Sequence, residues 1–538
     1  MTGKACASAV AMRNINFTTF VLFWMARMGT GQKSPEDFRV HGLADIEPAF
    51  ASVDGNMFSG LISARENSEA ELFFWLITND SSDSLVIWFN GGPGCSSIDA
   101  GFFFEMGPVT TPLHPAGYDN LDRGNEAPLK FNKYTWANVS NIMYIEQPVG
   151  VGYTHGSPKP QDEDEVAADF YRFLQNFFDI FPKMRKQRLF LVGESYAGMY
   201  VPSMAHYIHE KATSDDPKIN LKGIALGNGW VDAVKQGPLV IDYAWWHGMI
   251  DTVYRDALWS AWADCINGSI SSPFHKFTVP DECGIMGAVL EAAGAKDGQS
   301  PNTYDVTTWD TYPVLTSDTG TFAKFLNRPE VKEALNVGHV KKEWMGCIPG
   351  AGRRKLSLLD NDRPLSMARY MADLLDKTDI DVLVYNGDDD MSTCSQGSEL
   401  FLNDMEWSGQ SDWLDPSAYS RGLWKVNGKV AGHAKSVRNL HFLVVYNSGH
   451  MVPYNQPVNS YDLVTRFTRG RPDYIDQEIP FTLDHYRRPE KQIVPTSPGQ
   501  PMSHLVSAGI GCLFGVMIMW MKTKRSKQQG YDPVPTHF

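Results

Sequence analysis

Charge and cysteine are both scarce in this chain of 538 residues. Charged residues make up only 20% of it, and because acids outnumber bases by 62 to 48, the formal net charge is −14. A surface so poor in positive charge argues against nucleic-acid binding, which needs Lys and Arg facing the phosphates. Seven cysteines are too few for a disulfide scaffold of this length. With 43% hydrophobic residues, the chain has enough apolar material for a large core.

The cysteines divide between the chain ends and its middle. Cys6 lies in an N-terminal leader and Cys512 in a C-terminal apolar run. The remaining five are Cys95, Cys265, Cys283, Cys347 and Cys394. Five is an odd number, so an oxidising compartment predicts two bridges and one free thiol.

Both chain ends carry features of a membrane-anchored secretory protein. Arg13 precedes the short apolar stretch 17–26, which predicts a signal peptide within residues 1–31. Near the other end, residues 505–521 carry no charge, follow a Pro-rich stretch (487–504) and precede a basic tail (522–538). Seventeen helical residues span roughly 25 Å, enough for a thin bilayer. The basic flank predicts a cytosolic tail and a luminal main body.

Shorter motifs agree with this topology. Asn79, Asn138 and Asn267 each begin an Asn-x-Ser sequon, which is consistent with glycosylation in the lumen. The tail contains Tyr531-Asp-Pro-Val534, a tyrosine-x-x-apolar pattern that sorting adaptors bind, although a four-residue pattern also arises by coincidence.

From residue 71 onwards, short apolar runs recur, and several of them end in glycine-containing turns. The runs that predict strands are 72–77, 85–89, 141–145, 189–192, 223–226, 382–385 and 440–446. Helical spacing over 166–178 falls between them. Alternating strands and helices predict an α/β sheet with active residues at the carboxyl ends of its strands.

The sequence Gly193-Glu-Ser195-Tyr-Ala-Gly198 follows one of these strands and precedes a predicted helix. It resembles a nucleophile elbow with one extra residue before the second glycine, in which the tight turn exposes the serine hydroxyl. A serine nucleophile needs a base, and the base needs an orienting acid. Asp390 and His450 each follow a later strand, in the chain order Ser, Asp, His of α/β hydrolases.

The sequence therefore predicts an α/β-hydrolase fold with an inserted, mostly helical cap. The stretch from about 231 to 365 breaks the strand–helix rhythm, and it is richer in Trp, Pro and Gly. We expect it to form the cap, and residues 32–230 and 366–486 to form the core.

Four sequence blocks together resemble the signatures of the serine carboxypeptidases. They are Asn90-Gly-Gly-Pro-Gly-Cys-Ser-Ser97, Glu146-Gln-Pro-Val-Gly-Val-Gly152, Gly193-Glu-Ser-Tyr-Ala-Gly198 and Gly449-His-Met-Val-Pro453. With supporting blocks they cover roughly residues 38–470 in order. The predicted anchor is similar to that of the membrane-bound, pheromone-processing members of the fungal late Golgi, which trim Lys and Arg left by a kexin-type protease.

The resemblance implies residue roles and no metal or cofactor. It implies a triad of Ser195 as nucleophile, His450 as general base and then acid, and Asp390 as orienter. It implies an oxyanion hole from the backbone N–H groups of Gly92 and Tyr196. The implied recognition site for the substrate's terminal carboxylate comprises Asn90, Gly91, Glu105 and Glu194. The implied disulfides are Cys95–Cys347 and Cys265–Cys283, with Cys394 either a free thiol near the site or merely buried.

The carboxylate site also has a physical rationale. An exopeptidase must recognise a free carboxylate, and a carboxylic acid donates a hydrogen bond only while it is protonated. Paired acids in a dry site share a proton because ionising both is unfavourable. We therefore expect tighter peptide binding and the best activity at acidic pH.

Two blocks depart from the family pattern. After Gly387-Asp-Asp-Asp390, three residues rather than two precede Cys394, and Ser395 replaces an Asn. Alignment from the glycine selects Asp390 as the triad acid, with Asp388 as the second choice. The block that ends at Glu105 is one residue longer than usual. Asp99 within it is a candidate partner for a substrate Lys or Arg, or else a solvated aspartate at a helix start.

The expected function is a serine-type carboxypeptidase that removes Lys or Arg from peptides and proproteins with free C-termini, in the trans-Golgi network membrane. One alternative is a broad-specificity degradative carboxypeptidase of the vacuole or lysosome. Another is an acyltransferase on the same scaffold. A binding or sorting receptor without activity is disfavoured, because no member of the triad is missing.

Overall fold

Short apolar runs rich in β-branched and aromatic residues form a central sheet. In the part of the chain that the computed structural model describes, the strands are β1 Met57–Ser63, β2 Glu71–Ile77, β3 Ser84–Phe89, β4 Val109–Thr110, β5 Lys130–Phe131, β6 Asn141–Glu146, β7 Arg188–Glu194, β8 Leu221–Gly227, β9 Asp381–Gly387, β10 Ser420–Val426, β11 Lys429–Val437 and β12 Leu440–Val445. Ten of them pair in the order β1-β2-β6-β3-β7-β8-β9-β12-β11-β10, and β4 pairs with β5.

The centre of the sheet is parallel and its two edges are antiparallel. Strands β6, β3, β7, β8, β9 and β12 run in the same direction. The hairpins β1–β2 and β10–β11 close the edges, and β2–β6 and β11–β12 join them to the centre. The carboxyl ends of six parallel strands therefore meet along one edge of the sheet, where α/β proteins place their active residues.

The structure describes residues 33–110, 129–212, 218–269, 284–296, 300–308, 322–348, 365–470 and 472–475, with the backbone alone for 267–269. They fall within one compact unit that extends to Tyr486. The predicted signal peptide (1–31), stalk (487–504), membrane helix (505–521) and tail (522–538) lie outside them. Among the described helices, none is long and apolar enough to cross a membrane.

Helices cover both faces of the sheet. The described α-helices are α1 Leu43–Ile46, α2 Glu163–Ile180, α3 Ala197–Lys211, α4 Ala233–Gln236, α5 Leu239–Trp246, α6 Thr252–Ser269, α7 Ile285–Ala292, α8 Ala323–Leu326, α9 Pro329–Ala334, α10 Ala368–Lys377, α11 Ser395–Asp404, α12 Gln410–Leu414, α13 Val452–Asn455 and α14 Pro457–Arg469. A π-helix spans Ile98–Met106, and 3₁₀ turns span Pro35–Phe38, Pro48–Ser52, Trp136–Asn138 and Met184–Lys186.

The sequence of helix α2 explains where the helix begins and which side chains it buries. Asp162 caps its start, because the side chain accepts a hydrogen bond from Glu165 N at 2.8 Å. Three acids in its first turn interact favourably with the positive end of the helix dipole. Its aromatic residues Phe170, Phe173 and Phe177 are buried on one side of the sheet.

Alternation along the strands divides the apolar core into two layers. In β3, Leu85, Ile87 and Phe89 belong to the layer that contains α2 and α3. Val86 and Trp88 point the opposite way, into the layer that contains α14 and the π-helix.

A third, smaller apolar cluster lies in the insertion between β8 and β9. It joins buried residues of α5, α6 and α7, such as Ile241, Trp262 and Val289, to Met391 and Cys394. These three helices of the insertion therefore pack directly on the loop that follows β9. This arrangement, a mostly parallel sheet with helices on both faces and a helical insertion, is the α/β-hydrolase fold predicted from the sequence.

Candidate active site

Asn90 and all three residues of the expected triad lie just beyond a parallel strand. Asn90 follows β3, Ser195 follows β7, Asp390 lies three residues after β9 and His450 lies five after β12. The strand register aligns these ends, since Glu194 pairs with Gly227 and Gly227 pairs with Tyr385. Residues that are up to 360 positions apart in the sequence thus reach the same sheet edge.

Ser195 occupies a strained turn between β7 and α3. Its φ of 63° lies in the left-handed region, which is costly for a residue other than glycine. Backbone bonds hold it there: Ser195 N donates to Gly227 O at 3.1 Å, and Ser195 O accepts from Trp230 N at 2.8 Å. A Cβ at Gly193 would lie 2.5 Å from Cβ of Ala197, so this turn requires glycine. Strain of this kind is typical of a nucleophile elbow.

The loop after β3 lies directly against this elbow. A Cβ added to Gly91 would lie 2.3 Å from Tyr196 N and 2.9 Å from Ser195 Cβ. Gly92 has a φ of 114°, which only glycine adopts readily. The two segments that would supply the oxyanion hole, at Gly92 and Tyr196, are therefore in close contact.

His450 and Asp390 form a buried pair. The carboxylate accepts only, so the imidazole carries a proton on Nδ1 and donates it to Asp390 Oδ2 at 2.7 Å. Both side chains are almost wholly inaccessible to solvent. Asp388, the second choice for the acid, instead accepts from Ser448 N at 3.3 Å. Asp390 is therefore the acid that contacts the histidine.

Three residues that contact Asp390 or His450 were not predicted from the sequence. Asn228 Nδ2 donates to Asp390 Oδ2 at 2.7 Å, while Asn228 Oδ1 accepts from Gly387 N at 3.0 Å. Thr393 Oγ1 donates to the same Asp390 oxygen at 2.7 Å. Tyr304 packs edge-on against the imidazole at 4.7 Å, and its carbonyl accepts from His450 N at 2.7 Å. Only the Gly227-Asn-Gly229 turn gave any sequence signal, since Asn favours the positive φ of 43° seen there.

Asn90, Glu105 and Glu194 meet in a second buried group. Asn90 Nδ2 lies 3.3 Å from Glu194 Oε1 and 3.5 Å from Glu105 Oε1. Trp88 Nε1 and Gly101 N both donate to Asn90 Oδ1, at 2.6 and 3.1 Å, which fixes the orientation of the amide. All three side chains are at most 4% exposed.

Burial disfavours the ionised forms of both glutamates. Burial raises the pKa of Glu105 to about 7. Hydrogen bonds with Glu194 and Asn90 and the charge of His450 lower this pKa, but by less than burial raises it. Burial, and then the charge of Glu105, raises the pKa of Glu194 well above its ordinary value. Among the described residues, Glu105 Oε2 has no hydrogen-bond partner. The pair therefore offers a proton donor with an unused oxygen, as a site for a carboxylate requires.

A third buried carboxylate, Glu146, braces the loop after β3. It accepts hydrogen bonds from Ser96 Oγ at 2.6 Å, Tyr153 N at 2.6 Å and Trp344 Nε1 at 2.8 Å. Burial raises the pKa of Glu146 to about 7. Ser96 Oγ in turn accepts from Ile98 N at 3.0 Å, at the start of the π-helix that carries Glu105.

The described residues include one of the expected disulfides and the expected free thiol. Cys95 and Cys347 form a disulfide that ties this loop to residues 342–348. Cys265 is disulfide-bonded, and Cys283 lies outside the described residues. Cys394 is a buried free thiol whose pKa burial raises to about 12, so it stays protonated and weakly nucleophilic.

The hydrogen bonds of Asn79, Asn138 and Asp99 are made with residues outside the triad. Asn79 and Asn138 are half-buried, and each donates to a backbone carbonyl, of Ala137 and Lys133 respectively. The side chain of Asn267 lies outside the described part. Asp99 is not the solvated residue considered above, because it is buried and accepts from Phe322 N at 3.4 Å. Among the described residues, no cluster of three His, Cys, Asp or Glu could hold a metal ion.

A parallel sheet, a strained serine after β7 and a buried acid–histidine pair at the same edge define an α/β hydrolase of the serine type. Residues 48–470 match the serine carboxypeptidase family, to which the chain belongs.

Individual relatives agree with this assignment. The chain is 30% identical to serine carboxypeptidase S10 family member 2 of Dictyostelium discoideum, over 94% of this chain and 88% of the relative. It is 30% identical to a pheromone-processing carboxypeptidase of Aspergillus fumigatus, over 87% of this chain and 73% of the relative. A pheromone-processing carboxypeptidase of Meyerozyma guilliermondii is 29% identical over 79% of this chain, and the match spans only 65% of that relative.

A solved structure is similar as well. The prohormone-processing carboxypeptidase Kex1(delta)p of Saccharomyces cerevisiae superimposes with a TM-score of 0.69 at 27% identity. The superposition covers 81% of this chain and 96% of that one.

Proposed function

We propose that this protein removes single residues from the C-termini of peptides through an acyl-enzyme formed on Ser195. The observation that carries this proposal is the 2.7 Å contact between His450 and Asp390, at the same sheet edge as the strained Ser195. Membership of the serine carboxypeptidase family supports it.

The proposed reaction has two balanced steps. In the first, Ser195 Oγ attacks the last peptide carbonyl and its proton passes to Nε2 of His450. The imidazolium then protonates the departing amine, so the C–N bond breaks and the terminal amino acid leaves. In the second, water attacks the ester, gives its proton to His450 and releases the shortened peptide, while Ser195 recovers its proton. Gly92 and Tyr196 would donate their N–H groups to the oxyanion in both steps, each worth a few kcal/mol.

Asn90, Gly91, Glu105 and Glu194 would bind the terminal carboxylate. The buried amide and the protonated acids donate hydrogen bonds, so the free end of the peptide is recognised without a cationic side chain. This explains why the site would select exopeptidase over endopeptidase cleavage, since an internal peptide has no carboxylate to offer.

The proposed physiological substrates are proproteins and peptides that end in Lys or Arg. Support comes from the relatives whose names describe pheromone or prohormone processing. The test is hydrolysis of matched peptides that differ only in a terminal Lys, Arg or Leu, by wild type and by Ser195→Ala. Preference for Lys and Arg in kcat/KM supports processing, and equal values refute it.

A broad-specificity degradative role is the second candidate. The Dictyostelium relative matches nearly the full chain, and its name states no processing function. Asp99, the residue considered for pairing with a basic side chain, is enclosed and bonded to Phe322 N. The same peptide series separates the two roles, and an added amine or alcohol acceptor would reveal acyl transfer.

We propose a secretory location with a luminal catalytic domain, residues 231–365 as the cap, and an anchor at 505–521. The apolar run, its basic flank and the resemblance to late-Golgi enzymes support a trans-Golgi membrane protein, with the vacuole or lysosome as the alternative. Sorting adaptors would bind the tail at Tyr531. Protease protection of intact vesicles, with removal of glycans from Asn79, Asn138 and Asn267, tests this topology.

A further inference from the structure

The loop between Asp390 and Cys394 brings a hydroxyl into contact with both members of the acid–base pair. Thr393 Oγ1 lies 2.7 Å from Asp390 Oδ2 and 3.3 Å from His450 Nδ1. Asp390 Oδ2 itself lies 2.7 Å from that nitrogen. The three atoms therefore form a closed triangle, and all three side chains are at most 4% exposed.

The direction of these hydrogen bonds follows from the chemistry of the groups. A carboxylate only accepts, so the single hydroxyl proton of Thr393 points to Asp390 Oδ2. The oxygen lone pairs of Thr393 remain on the side of His450 Nδ1, which carries a proton. Thr393 thus donates to the acid and is placed to accept weakly from the imidazole.

The backbone around Thr393 leaves the hydroxyl little freedom to move. Asn386 Nδ2, at the end of β9, donates to Thr393 O at 2.8 Å. Ser392 N donates to the other oxygen, Asp390 Oδ1, at 2.9 Å. The next residue, Cys394, is buried at the start of α11. These contacts on either side of Thr393 restrict its backbone and therefore the position of its hydroxyl.

Two side chains besides His450 share the same carboxylate oxygen. Asn228 approaches it from the turn after β8 and Thr393 from the loop after β9, each at 2.7 Å. Together they fix the rotamer of Asp390 so that Oδ2 faces the imidazole. A carboxylate held by one donor fewer would rotate more freely and would orient the imidazole less well.

We propose that Thr393 is a positioning residue of the catalytic triad, which orients Asp390 and, through it, His450. Thr393 is the last of three residues that separate Asp390 from Cys394. The inference rests on the triad proposed above.

The test compares Thr393→Val, which keeps the shape and removes the hydroxyl, with Thr393→Ser, which keeps the hydroxyl. A hydrogen bond to a charged group predicts about a tenfold lower kcat for Thr393→Val, with KM changed by less than about twofold. Thr393→Ser restores kcat to within about threefold of wild type. The low-field proton NMR signal of the imidazole Nδ1–H shifts in Thr393→Val and returns in Thr393→Ser. Ser395→Ala removes a hydroxyl two residues away and serves as the matched control.

Several outcomes overturn the inference. One is a Thr393→Val variant with the kcat and NMR signal of wild type. Another is an equal loss of kcat in Thr393→Val and Thr393→Ser, because altered packing would then be the cause. If Thr393→Val does not fold, Thr393→Ala and Thr393→Ser differ only by the hydroxyl, and equal kcat values for these two refute the role. Ser195→Ala tests the triad independently of Thr393, because peptide hydrolysis that survives in this variant refutes the triad itself.

Discussion

Recognition of the substrate's free end should be lost as the pH rises through the titration of Glu105. Burial raises its pKa to about 7, so the acid is neutral at pH 5 and mostly ionised at pH 8. A single group with this pKa is about elevenfold less protonated at pH 8 than at pH 5. Ionisation removes a donor and places a negative charge beside the substrate carboxylate. We therefore expect kcat/KM for a free-acid peptide to fall about tenfold over this range, mainly through KM.

The assay compares two substrates of identical sequence, one with a free C-terminal carboxylate and one with a C-terminal amide. Any titration of the catalytic groups affects both equally, so the ratio of their kcat/KM values isolates the carboxylate site. The ratio should fall about tenfold between pH 5 and pH 8 in wild type. The glutamine of Glu105→Gln is neutral at every pH, so this variant should remove the pH dependence of the ratio. The exposed control Glu66→Gln should leave that pH dependence unchanged. A ratio that stays constant in wild type would refute the protonated-acid account.

Three further predictions concern the triad, the elbow and the core. Asp390→Asn should lower kcat for peptide hydrolysis by about 10⁴-fold, because the imidazole loses the acceptor that holds its reactive tautomer. Gly91→Ala should abolish peptide hydrolysis, because its Cβ would lie 2.3 Å from Tyr196 N, whereas Gly287→Ala, with nothing within 4 Å, should retain it. Arg466→Met breaks the buried 2.7 Å pair with Asp462 and should cost about 3–5 kcal/mol, seen as a lower melting temperature. Arg438→Met breaks an exposed pair with Asp412 and should cost about 1 kcal/mol or less, so equal losses would contradict this reasoning.

The central strands were predictable because burial on both faces gives them continuous apolar sequences. The expected runs 85–89 and 382–385 correspond to β3 (Ser84–Phe89) and β9 (Asp381–Gly387). Edge strand β10 was missed, because Ser420–Val426 alternates exposed polar residues with few buried ones. An edge strand of this kind has no apolar run to identify it.

Some residues of the candidate site could be predicted from local sequence motifs, and others could not. Ser195, Asp390 and His450 were predictable because each follows a strand and lies within a recognisable motif. Asn228 and Thr393 are single polar residues in turns, and their importance depends on contacts with Asp390. The contact of Asn228 joins positions 162 residues apart, which no local pattern in one sequence encodes.

The most direct test of the central claim is to map a fluorophosphonate adduct by peptide mass spectrometry while measuring the release of free amino acid from a peptide. The account predicts one adduct, on Ser195, with carboxypeptidase activity lost in proportion to labelling and with His450→Ala neither labelled nor active. Labelling of a different serine, or peptide trimming that persists after complete modification of Ser195, would contradict it.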